Sequence, residues 1–131
     1  MSRNFILKNP CHLPEAQLDT HKSQIGFADL LKPALRHRPD RIIVGEIRGP
    51  EARVFLDALN TGHRGSLSTI HANSAADALR RLAQLAMRGS GGSVPLHDVE
   101  EECERSIDLI VHVMNEDGWR HISEIRVVAF G

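Results

Sequence analysis

The apolar positions of this 131-residue chain change period several times along its length. Phe27, Leu30, Leu31, Ala34 and Leu35 recur at helical spacing and predict an amphipathic helix. Pro33 falls inside that pattern and is expected to kink the helix or confine its regular part. Pro39 ends it, because a residue before proline avoids the helical region. Residues 41–45 are apolar without alternation, the mark of a strand buried on both faces. Gly49-Pro50 then opens a second helix with proline in the first turn, where its missing N–H costs nothing. Ala52, Phe55, Leu56 and Leu59 form its stripe, and Gly62 terminates it.

A second strand is predicted over residues 66–70. Ser74 and Asp77 have capping-box spacing, with Asp in place of the usual Glu or Gln. The helix they start turns Ala78, Leu79, Leu82, Leu85 and Ala86 inward and ends near Gly89. Residues 89–93 read as a flexible connection and residues 95–105 as an acid-rich surface helix. Residues 107–113 alternate less than a solvent-faced strand should, so burial on both sides is expected. Asn115-Glu-Asp-Gly118 is a hairpin turn signal, returning as a strand over 119–129. Residues 1–24, with Pro10 and Pro14, show no clear period and read as a loose lead-in. The order of elements predicts an α/β layer with a terminal hairpin, without internal repeats.

Composition narrows the function classes. Apolar residues make up 41% and charged residues 25%, ordinary for one globular domain. A net charge of -1 gives no general electrostatic case for nucleic acid or anionic lipid. Runs such as 42–44 and 109–111 are too short to cross a membrane, and Met1 to Lys8 lack a signal peptide's apolar stretch. Cys11 and Cys103 form neither a metal-spacing motif nor a disulfide framework, so a reducing cytoplasm is the default compartment. None of the eight histidines has ligand spacing such as H-x-x-x-H, and no metal site is expected.

The candidate chemistry gathers at strand ends. Glu46 lies just past the first strand, at the carboxyl end where open α/β sheets place ligands. It could polarise an attacking water, or be a surface acid paired with Arg41 or Arg48; on spacing alone the surface acid is the commoner outcome. His71 ends the second strand and could report a γ-phosphate, or be satisfied by a backbone carbonyl. His63, Arg64 and Gly65 precede that strand, as a site segment or a polar turn. Arg36, Arg38, Arg41 and Arg48 cluster around the first strand, suited to phosphate or to a solvated, salt-bridged surface. No G-x-x-x-x-G-K-[ST] loop occurs in the 131 residues.

Two long motifs carry a resemblance: Leu35-Arg-His-Arg-Pro-Asp-Arg-Ile-Ile-Val-Gly-Glu-Ile-Arg-Gly49 and Thr61-Gly-His-Arg-Gly-Ser-Leu-Ser-Thr-Ile-His-Ala-Asn73. From about residue 22 to 128 the chain resembles the type II/type IV secretion-system ATPases, hexameric RecA-like motors of conjugative transfer, secretion and pilus assembly. Ala76-Asp-Ala-Leu-Arg-Arg-Leu82 and Ser106-Ile-Asp-Leu-Ile-Val-His112 look closest to the conjugative branch. The resemblance implies a partial RecA-like P-loop fold, with residues 42–46 as the Walker B strand and Glu46 as the catalytic acid. Gly45 agrees with the glycine that this family carries where other P-loop ATPases have the magnesium-binding Asp. His71 is implied as nucleotide sensor and His63 as second sensor, with Arg48 the motif's arginine. ATP, Mg²⁺, a homo-hexamer and envelope machinery at the inner membrane follow as implied cofactors and partners.

The resemblance also implies what these residues do not supply. Family members are usually more than twice this long, and nothing before Leu13 matches their N-terminal domain or Walker A strand. In RecA-like sheets that strand lies between those corresponding to residues 66–70 and 107–113. Without it, unpaired apolar edges are expected. The chain is thus expected to be the C-terminal part of such a motor (residues 22–131, after a poorly matching lead-in over 1–21) and not to hydrolyse ATP alone. The alternatives are an interaction module that docks on an intact hexamer, or a decayed remnant.

Overall fold

Residues 4–7 and 26–128 are described by the computed structural model. Three parallel strands form its first sheet: β1 (Asn4–Leu7), β2 (Arg41–Val44) and β3 (Leu67–Ser68), in the order β1-β2-β3. The helices are α1 (Phe27–Arg36), α2 (Glu51–Asn60), α3 (Ala75–Gly89) and α4 (Leu96–Ser106). A separate antiparallel hairpin of β4 (Leu109–Glu116) and β5 (Trp119–Val127) follows. Cys11, Pro10, Pro14, Leu13, Ala129 and the side chain of Phe27 lie outside the described residues.

The unalternating run in β2 is buried as its pattern requires, with Ile42 and Val44 inaccessible. Leu31 of α1, Phe55 and Leu56 of α2, Leu79, Leu82 and Leu85 of α3, and Val99 and Cys103 of α4 close the same core. Ser74 caps α3, its hydroxyl accepting the Asp77 amide at 3.1 Å. The hairpin turns through Asp117 (φ 50) and Gly118 (φ 87), the left-handed pair that a tight two-residue turn requires.

Three expectations need correction. The stretch read as a loose lead-in contains β1, which pairs with β2 in register from Asn4 opposite Arg41 to Leu7 opposite Val44. Four residues are too few to show a period. Pro33 does not confine the regular part of α1 to later residues, because the helix runs from Phe27 to Arg36 on both sides of it. Proline removes the bond its N–H would make one turn back and crowds the carbonyl there, yet Leu31 and Ala34 on either side still pack on the core.

The third correction concerns residues 107–113. Instead of a strand buried on both sides, β4 exposes Leu109, Val111 and Val113, and β5 exposes Trp119, Ile122 and Ile125. Leu67 of β3 is 63% exposed on the facing side. Between β3 and β4 runs a trench of about 810 Å³ lined by Leu67, Thr69, Leu79, Leu82, Leu109 and Val111, among others. The apolar run is that of a central strand, but among the described residues β4 pairs only with β5 and its other edge faces the trench.

Candidate functional site

The register of β2 on β3 builds the site. Ile43 lies opposite Leu67 and Val44 opposite Ser68. Beyond the formal strands the alignment is held by Thr69, whose hydroxyl donates to the Gly45 carbonyl at 2.6 Å. Its own carbonyl accepts the Ile47 amide at 2.9 Å. At the other end, Ser66 Oγ accepts the Ile42 amide at 3.0 Å and donates to the His63 carbonyl at 2.7 Å. Two residues far apart in the chain, Glu46 and His71, thereby meet at the carboxyl ends of adjacent strands.

Glu46 Oε2 receives the Arg48 guanidinium at 2.6 Å, and His71 Nε2 stands 3.1 Å from Oε1. No hydrogen bond joins the two, and Oε1 is buried without a hydrogen-bond partner. An orphaned carboxylate oxygen is costly unless something else meets it. Arg48 holds the Glu46 carboxyl below the usual carboxylate range; burial opposes this, and the charges of Arg48, His71 and Arg81 reinforce it. The acid thus remains an ionised acceptor that can orient an attacking water, although the lowered pKa makes it a weaker base.

Glu51 is a part of the site that sequence reasoning missed. Its buried carboxylate accepts the amides of Arg48 at 2.7 Å and Gly49 at 2.9 Å. It closes the turn that carries Glu46 and Arg48 onto α2. The available signal was an acid in the first turn of a helix opened by Gly49-Pro50. Arg81 is the second omission, reaching Glu46 through its charge from α3.

The other expected residues are not brought to this point. His63 lies at the opposite end of β3, where its Nδ1 meets the Ala58 carbonyl at 3.1 Å and finishes α2. Arg41 packs beside Gly65, which has φ +75. Gly45 contributes its carbonyl to Thr69. Among the described residues no group of three or more His, Cys, Asp or Glu could hold a metal ion.

The residues present fit half of an ATP site. The orphaned Glu46 oxygen suits an attacking water, and Arg48 and His71 beside it suit phosphate oxygens. The cradle of amides and lysine that grips a triphosphate is absent from the sequence.

A parallel sheet with an acid and a histidine side by side at its strand ends has the form of the ligand sites that open α/β folds build there. Residues 9–116 match the model of the type II/IV secretion system protein family, and the chain belongs to that family. It is 42% identical to a probable conjugal transfer protein TrbB of Sinorhizobium fredii, over 88% of this chain and 34% of that protein. It is 33% identical to the type IV secretion system protein VirB11 of Brucella suis, over 92% of this chain and 36% of that one. The crystal structure of the Brucella suis VirB11 ATPase, in complex with sulphate, superposes with a TM-score of 0.72 at 35% identity. That match covers 76% of this chain and 31% of the other. The chain therefore spans about a third of the length of the relatives it matches. Among the described residues no helix is long and apolar enough to cross a membrane.

Proposed function

We propose that this chain is the acid-and-sensor part of an ATPase that powers conjugative transfer or secretion across the bacterial envelope. It would work within a ring of like subunits, in the cytoplasm, against the inner-membrane machinery. The observation that carries the reading is the pairing of an orphaned, ionised Glu46 with His71 at the ends of adjacent strands. Bound Mg²⁺-ATP would supply the γ-phosphoryl group to be transferred to water. Glu46 Oε1 accepts the proton of the attacking water, Arg48 keeps the carboxyl ionised, and His71 responds to the phosphate. His63 serves as the cap of α2, and Gly45 offers its carbonyl to Thr69.

The 131 residues lack a phosphate cradle, so the chain alone is expected neither to bind nor to hydrolyse ATP. Co-expression with the N-terminal two thirds of a TrbB relative is expected to restore both. Glu46→Gln should then reduce turnover by about 10²-fold or more while leaving nucleotide binding in place. Turnover by the restored complex that survives Glu46→Gln would remove the acid from its role. Binding of the chain to an intact hexamer without turnover would support the docking-module alternative.

A further inference from the structure

The hairpin reaches the site through one residue. In the ladder, His112 of β4 lies opposite Glu124 and Val113 opposite Ile122, leaving Ser123 as the extra residue of a β-bulge. Bulges re-aim side chains, and here Ser123 Oγ comes to 2.6 Å from His112 Nδ1 and 3.2 Å from the His112 carbonyl. The other ring nitrogen, Nε2, meets the Ala72 carbonyl at 3.3 Å. A carbonyl only accepts, so Nε2 carries the proton. In the neutral ring Nδ1 then accepts from the Ser123 hydroxyl. The Ala72 carbonyl thus selects the tautomer, and the bulge serine, able to donate or accept, holds the ring in place.

That loop begins with His71. Its far end is held by Glu124, whose Oε2 accepts the amide of Ala75, first residue of α3, at 3.2 Å. Its near end follows Thr69, tied to β2 by the two bonds described above. The His71 side chain is 81% exposed, so packing does little to orient it. Its position against Glu46 depends on the backbone beneath it.

We propose that His112 is a positioning residue of this site: oriented by Ser123 and backed by Glu124, it clamps the 71–75 loop and so presents His71 to Glu46. The functional weight of this clamp rests on the reading of His71 as the nucleotide sensor. Its geometry does not.

The test is nuclear magnetic resonance on the full chain without nucleotide. Glu46→Gln is expected to shift the His71 ring resonances in the parent. In His112→Ala that response should disappear, with the Ala75 amide exchanging about fivefold faster, the weight of one hydrogen bond. Amides of Phe55 and Leu56 should be unmoved. His112→Gln, which retains an N–H donor, should restore the response. An undiminished His71 response in His112→Ala, or a Gln variant no better than Ala, overturns the clamp. Should His112→Ala unfold, Ser123→Ala removes only the orienting hydroxyl and is read the same way. Turnover in the restored complex separates the two readings. An uncoupled loop with full turnover keeps the clamp and rejects His71 as sensor.

Discussion

At the scale of single residues, the site is set by what Glu46 lacks. Arg48 satisfies one of its oxygens and leaves the other buried without a hydrogen bond, with His71 Nε2 beside it. The folded carboxyl sits below its unfolded value of 4.5, so its ionisation stabilises the fold above about that pH. That contribution is lost as pH falls through the folded value. Arg48→Ala should lift the Glu46 titration towards 4.5, visible in carboxyl ¹³C shifts. The guanidinium is 60% exposed and solvent screens it, so the loss at pH 7 is expected to be about 1 kcal/mol at most. Urea midpoints of parent and variant should converge in acid, once both carboxyls are protonated. Midpoints that stay apart there would assign the difference to packing.

At the scale of elements, close contacts decide more than pattern does. Gly89 reads in the sequence as a helix stop, and α3 does end there. A side chain at Gly89, however, would lie 2.6 Å from the Pro50 carbonyl oxygen and 2.9 Å from Arg53 Cβ. Gly89→Ala must push α3 off the start of α2. The helix-propensity gain of about 1 kcal/mol is smallest at a terminus, while overpacking costs about 1–3 kcal/mol, so a net loss is expected in thermal unfolding. Cys103, fully buried on α4, has its thiol pushed up to about 12, chiefly by desolvation. In a Cys11→Ser background it should resist a thiol reagent at pH 8 until urea unfolds the chain. Labelling of the native protein at an unfolded thiol's rate would place α4 off the core.

The elements themselves were largely legible because their signals are local: the proline and glycine bounding α2, the Ser74 cap, and the Asp117-Gly118 turn. The meeting of Glu46 with His71 could be anticipated from strand ends, since parallel register brings such ends together. Glu51, Ser123 and His112 were not legible as site-building residues. Their roles arise from a turn, a bulge and a loop that bring distant residues within reach, and no period records that. The burial expected of residues 107–113 failed for a different reason. An apolar run states what a strand needs as neighbours, not whether they are there.

At the scale of the whole molecule, the trench between β3 and β4 gives the chain two largely apolar walls that face each other. Self-association should follow, seen as a rise in sedimentation coefficient between micromolar and higher concentrations. Val111→Thr with Ile125→Thr should reduce it without shifting the unfolding midpoint by more than about 1 kcal/mol, because both side chains already face solvent. There is a thermodynamic corollary. A polypeptide seated in the trench at a hundred times its dissociation constant would add about 2.7 kcal/mol to the unfolding free energy. The melting temperature of this chain is then not a constant of the sequence but a gauge of its company, rising or falling with whatever strand shares the solution.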